Sequence, residues 1–232
     1  MIKHFFISAT LLAASFVSAA TTPTDVAQTR ISEIIELSRL TGLSVQARNV
    51  TQQVLEEAQV PLGKQYKVVG VISSQWSADK LQAHFQSILN SYDAVELEQL
   101  AQALNNQHIL SARKKELSAV AEQSSTDYQQ YIQRLQTQKI AKGRLQYIRN
   151  LDQAMQLSAV LIKARQSIYA ELKKNVEGWQ PDEHWQQQLQ KDVLSFLFYV
   201  HRGTSNQELQ QLINYYRQPQ LSAWLSDIKN AL

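Results

Sequence analysis

Beyond the first twenty residues the chain carries four histidines, His84, His108, His184 and His201. Histidine suits acid–base work near neutral pH and is the commonest metal ligand, so its neighbours decide what it could do. His84 and His108 stand apart in the first half, while His184 and His201 are 17 residues from one another. No pair has the four-residue spacing that sets two imidazoles on one helix face. Asp182-Glu183-His184 is the densest set of potential ligands, but it precedes an amphipathic segment, where acids favour a helix's first turn without any metal. The chain has no cysteine, which removes thiol nucleophiles, Cys-ligated zinc, Fe–S clusters and disulfides. Its six glycines form no Gly-x-Ser-x-Gly elbow, phosphate loop or dinucleotide fingerprint. Adjacent acids such as Glu56 and Glu57 would point about 100° apart on a helix, too divergent for paired-carboxylate chemistry. No metal and no cofactor is expected.

Charge and aromatic content point to binding instead. Between Arg113 and Arg149 eight basic residues stand against three acids, and no acid falls between Arg134 and Arg149. Arg134, Lys139 and Arg144 could orient an acidic partner or an anionic surface, the competing reading being a solvated helix face. Aromatic residues gather in the second half. Tyr215, Tyr216 and Trp224 are the candidates to line an apolar groove, although aromatics at helical spacing also serve as core. Phe196-Leu-Phe198-Tyr199 presents apolar groups on several sides of its helix, which suits a central position or a binding face.

Helices must position these side chains. Apolar residues recur at spacings of three and four: Ile31, Ile34, Ile35 and Leu37; Val50, Val54 and Leu55; Leu81, Phe85, Ile88 and Leu89. The β-branched stretch Tyr66–Ile72, interrupted by Gly70, is the one ambiguous segment and is read as helix. Ser77, Asp93-Ala-Val-Glu96 and Ser205-Asn-Gln-Glu208 read as helix starts, the last as a capping box; Gly42, Pro61, Gly178, Pro181, Gly203 and Pro219 mark breaks. The 32 glutamines fall mainly on polar helix faces, as at Gln129, Gln130, Gln133, Gln136 and Gln138. The expected architecture is all-α, a compact bundle of eight to ten helices.

Residues 1–20 read as an export signal: Lys3 and His4, a largely apolar run from Phe5 to Val17, then Ser18-Ala19-Ala20 as a cleavage region. Cleavage after Ala19 or Ala20 would leave a soluble periplasmic or secreted chain with no membrane-spanning segment. Losing Lys3 lowers the net charge from +3 to about +2, too little to argue for nucleic acid.

The chain also resembles itself. Arg30-Ile31-Ser-Glu-Ile34-Ile-Glu-Leu37-Ser-Arg-Leu40-Thr-Gly-Leu43-Ser44 aligns with Arg144-Leu145-Gln-Tyr-Ile148-Arg-Asn-Leu151-Asp-Gln-Ala154-Met-Gln-Leu157-Ser158, and Glu96-Leu97-Glu-Gln99-Leu100 with Glu208-Leu209-Gln-Gln211-Leu212. Between the anchors each half has a Trp-led helix, Trp76 to Tyr92 and Trp185 to Val200. Two diverged helical repeats follow, 21–112 and 143–232, joined by one long connecting helix over 113–142. In that helix Leu117, Ala121, Tyr128, Ile132 and Leu135 would face the core.

Glu208-Leu-Gln-Gln-Leu-Ile-Asn-Tyr215-Tyr216-Arg-Gln-Pro219-Gln-Leu-Ser-Ala-Trp224 resembles the closing motif of the exported bacterial family called domain of unknown function 2059: a Glu-Leu helix start, an aromatic pair, then a proline. Ile148 to Leu157 looks like that family's other recognisable stretch. The resemblance is clearest over 144–226 and weaker over 30–112, where Ala103-Leu104 replace the aromatic pair and the proline is missing. Gln218 stands where a small hydroxyl is usual and Leu221 where glycine is usual. The resemblance implies an exported helical protein and no particular reaction.

The reading that results is a non-enzymatic binding protein. Tyr215, Tyr216 and Trp224 would line a groove between the repeats for an amphipathic partner, an envelope protein or an anionic lipid surface, with Arg134, Lys139 and Arg144 orienting it. The alternative is a hydrolase acting on an envelope component through His184 or His201 beside a serine or carboxylate. A subunit whose apolar face is buried in an oligomer is a third.

Overall fold

Side-chain caps divide the chain into its helices. In the computed structural model, which describes residues 23–232, the first three are α1 (Pro23–Ser38), α2 (Gly42–Glu57) and α3 (Leu62–Trp76). The Ser77 hydroxyl accepts from the Lys80 amide to open α4 (Ala78–Leu89). Asp93 and Glu96 form a reciprocal capping box on α5 (Ala94–Leu104), the carboxylate of each accepting from the other end's backbone. Asn106 caps α6 (Gln107–Glu122) and Ser125 caps α7 (Thr126–Thr137). Next come α8 (Lys142–Met155), α9 (Leu157–Asn175) and α10 (Trp185–Val200). The Ser205–Glu208 capping box opens α11 (Asn206–Tyr216), and Pro219 sits in the first turn of α12 (Pro219–Ala231), where its missing N–H costs nothing. The described residues thus hold twelve helices and no strand. None of these helices is long and apolar enough to cross a membrane. The expected export signal at 1–20 lies outside the described residues.

The count exceeds eight to ten because caps interrupt two segments read as continuous. Trp76 closes α3 rather than leading a helix to Tyr92, since Ser77 adopts extended backbone and starts α4. The single connecting helix over 113–142 is a correction of the same kind. Gln123, Ser124 and Ser125 separate α6 from α7, with Ser125 accepting from the Tyr128 amide, and α7 itself ends at Thr137. The inward face shifts with it: Ala112, Ala119 and Tyr128 are buried, Leu117, Ile132 and Leu135 half-buried, and Ala121 exposed. The ambiguous Tyr66–Ile72 stretch is helical within α3, because Val68, Ile72 and Trp76 recur every four residues and pack inward.

Matching helices of the two halves make matching pairs. α1 lies along α5 as α8 lies along α11; α4 touches α1 and α2 as α10 touches α8 and α9. The last helix of each half crosses over: α6 packs on α10 and α11, and α12 packs on α5. The expected boundary at 112 therefore falls inside a helix that serves the opposite half. Two polar bonds tie the crossings. The Tyr92 hydroxyl donates to the Asp227 carboxylate, and the Lys115 ammonium donates to the Thr204 hydroxyl at 2.8 Å. Tyr92 and Thr204 stand 112 residues apart, as do Lys115 and Asp227, the same interval that separates Glu96 from Glu208. α3 breaks the correspondence, for residues 176–184 cross the equivalent interval without a helix, turning at Gly178 with φ +72°.

α10 is the central element. It touches α6, α7, α8 and α9, so Phe196, Leu197, Phe198, Tyr199 and Val200 are all buried despite pointing in different directions. Its many-sided apolar character is core, not a binding face.

Candidate functional site

The apolar groove expected at Tyr215, Tyr216 and Trp224 is not formed. Trp224 is fully buried; its indole N–H donates to the Ser38 hydroxyl at 2.9 Å and its ring meets Phe85 and Tyr92 edge-on. Tyr216 is also buried, and Tyr215 stacks on His108 with ring centres 5.0 Å apart. These aromatics fill the crossing of α12 on the first half and the flank of α6.

The basic candidates divide. Arg144 donates to the His201 carbonyl at 2.5 Å and to the Asn206 side-chain oxygen at 2.9 Å. Tyr131 donates to the Phe198 carbonyl and Arg202 to the Tyr199 carbonyl. Together these side chains satisfy carbonyls at the last turn of α10, where cations also complement the helix dipole. Arg134 is exposed and lies over the Tyr131 ring at 5.9 Å; Lys139 is exposed on the segment after α7. Burial raises the pKa of Tyr131, and Arg144, Arg202 and Arg134 pull it back, which reflects their convergence on this ring. Arg202, which also lies over Tyr199 and pairs with Glu122 at 3.3 Å, completes the cluster and was not singled out from the sequence. Its signal would have been its position in the turn after an apolar helix, where cations gather.

The histidines do not assemble a catalytic set. His201 is buried, its Nδ1 lies 3.3 Å from the Thr204 hydroxyl, and its pKa is pushed down to about 4 by burial and then by Lys115 and Arg144. It is a neutral imidazole closed inside the α6–α10 junction. His184 is exposed and pairs only with its neighbour Glu183 at 3.3 Å. His84 bonds to the Ala231 carbonyl at 3.2 Å. Among the described residues no group of three or more His, Asp or Glu could hold a metal.

A groove of about 780 Å³ opens instead where the α8–α9 corner faces α10 and α12. Gln156 makes the corner. Its left-handed backbone, φ 51°, ends α8 and lets α9 start at the next residue, and its amide donates to the Ser226 hydroxyl of α12 at 2.9 Å. Gln156 therefore offers α9 no side-chain cap; the buried Asp152, four residues earlier, accepts from the Ser158 amide at 2.9 Å in its place. Burial pushes the Asp152 pKa up, and the Ser158 amide and hydroxyl oppose that. Arg149 and Lys229 supply cations to the lining, Gln153 and Gln190 amides, and Ile162 and Leu194 an apolar surface. Of these only Arg149 belonged to the basic set read from the sequence. Gln153 follows it by one turn of α8, but Ile162, Gln190, Leu194 and Lys229 come from α9, α10 and α12, and no local spacing connects them to it.

No family model matches this sequence, and comparison with curated proteins and with solved structures returns no match.

Proposed function

We propose that this protein is an exported, non-enzymatic binding protein that holds a small anionic amphiphile of the cell envelope in the groove between α8–α9, α10 and α12. The observation that carries the reading is the groove's lining. Two cations and several amides stand beside Ile162 and Leu194, in a volume within the range of small-molecule sites. An anionic head group would meet Arg149 and Lys229 while its chain lies on the two apolar residues. Asp152 does not oppose it, because its charge is directed at the first turn of α9. The side chains that could have done acid–base work, His201 and His184, are respectively enclosed and exposed beside Glu183, which favours binding over hydrolysis.

Decanoate and decanol separate the head-group contribution from the chain. Decanoate is expected to raise the melting temperature and decanol to do so much less. Arg149→Glu with Lys229→Glu is expected to erase the difference. Equal responses to the two probes, or none to either, would overturn the reading.

Export through residues 1–20, with cleavage after Ala19 or Ala20, belongs to the same proposal, as does membership in the family that Glu208–Trp224 resembles. So does descent of the two halves from one duplicated unit. The matched helix pairs and the equally spaced Tyr92–Asp227 and Thr204–Lys115 contacts support it.

A further inference from the structure

α3 has two apolar faces, and only one is used. Val68, Ile72 and Trp76 pack inward against α2, α4 and α9. Leu62, Tyr66 and Val69, spaced by four and three, form a second stripe that is 74%, 82% and 40% exposed. A hydrated face is normally polar, and these three are half of the large apolar side chains that the described residues expose. Lys64 and Lys67 are exposed on the same helix, which carries no acid. Gly63 and Gly70 lie beside the stripe, and a Cβ at either would meet nothing within 4 Å, so packing does not demand glycine there. Gly70, inside the helix, costs it about 1 kcal/mol relative to alanine. α3 is also the helix without a counterpart in the second half, so the repeated bundle can be closed without it.

From these features we infer that α3 docks the protein on an anionic lipid surface. Leu62 and Tyr66 protrude rather than line a groove, which suits insertion between head groups. A tyrosine fits the level where apolar chain meets water, and lysines on long stems reach lipid phosphates while their own chains stay near the apolar layer. The charge is local. Glu56 and Glu57 close the preceding helix and are exposed, so attraction depends on the lysines outweighing these two acids at the membrane. This inference is independent of the groove, which lies on other helices.

Co-sedimentation of the purified protein with phosphatidylglycerol-containing vesicles and with pure phosphatidylcholine vesicles tests it. The protein is expected to pellet with the first, to be weakened by salt, and to stay in solution with the second. Leu62→Ser with Tyr66→Ser should lower the bound fraction by about tenfold, the loss of two inserted side chains. Both sites are exposed, and circular dichroism verifies that the fold is kept. Lys64→Glu with Lys67→Glu should do the same, whereas Glu56→Gln with Glu57→Gln should tighten binding. Equal pelleting of wild type and the Leu62/Tyr66 variant, or failure of wild type to pellet with either vesicle, would overturn the inference. So would a dimer in solution that the Leu62/Tyr66 variant converts to monomer, since the stripe would then seat a second copy.

Discussion

The two helix crossings are built on one plan and filled with opposite chemistry. Where α12 meets the first half, Leu89 and Trp224 are fully buried and Ile228 is buried beside them on α12, while Tyr92–Asp227, Trp224–Ser38 and Gln220–Gln99 hydrogen bonds supply side-chain polar contacts. At the positions 112 residues away, His201 stands for Leu89, Ala112 for Trp224 and Glu116 for Ile228, and Lys115 bonds to Thr204. There the acid, its neighbours Arg113 and Arg39, and the buried Tyr216 form a partly enclosed ionic cluster. Burial raises the Glu116 pKa and the two arginines oppose that. The second crossing thus encloses titratable groups at positions where the first has apolar side chains. The lesson is energetic: the first crossing should respond most to lost volume, and the second should titrate.

The largest effect expected is on the apolar side. Trp224→Ala removes the largest fully buried side chain and the donor to Ser38, and should cost about 3–5 kcal/mol in urea unfolding. Ala112→Gly, the counterpart position, should cost only about 1 kcal/mol. If the two losses were similar, the contrast between the crossings would be wrong.

The polar crossing is exposed by acid. His201 has a folded pKa of about 4 against an ordinary value near 6.5, so the unfolded chain binds more protons between those limits. Its contribution to stability is full above pH ~6.5 and is lost as pH falls toward ~4, a change of about 3 kcal/mol. Below pH 4 the native imidazole protonates too and the slope ends. Unfolding measured across this range should show the slope in wild type and its loss in His201→Leu, which installs the residue found at position 89. A slope that survives in the variant would assign it to other groups.

Smaller effects should rank the two tying bonds. Tyr92→Phe leaves the Asp227 carboxylate without its hydroxyl donor and should cost about 1–2 kcal/mol. Lys115→Met keeps the stem and loses a single bond to Thr204, so a loss of about 0.5–1 kcal/mol is expected. The reverse order would show the second crossing to be the tighter one. Thermal unfolding of the two variants side by side decides it.

Much of the helical frame was legible in the sequence because caps are local. Ser77, Asp93–Glu96, Ser205–Glu208 and Pro219 act through atoms within four residues, and each does in the fold what its spacing announces. The breaks that were missed had weaker local signals. Ser125 caps α7 with no glycine or proline beside it, and Gln156 turns left-handed without being glycine. The site was much less legible. Trp224 and Tyr216 were read as residues lining a groove and are buried in the packing instead, because whether an aromatic lines a groove or fills a crossing depends on the helix laid against it. Arg144 was read as a docking charge and is occupied by the end of α10. The groove joins Arg149 and Asp152 to Gln190 and Lys229 across three helices, a distance over which one chain has no readable pattern.

By itself the sequence determined that this chain is helical and where most of its helices begin, since hydrogen bonds and apolar period act over a few residues. Only the tertiary structure decided that the last helix of each half crosses to the other. It likewise placed titratable groups at one crossing where the other has apolar side chains, and left α3 with an apolar stripe in water. Those outcomes depend on burial, and burial is set by what arrives from elsewhere in the chain.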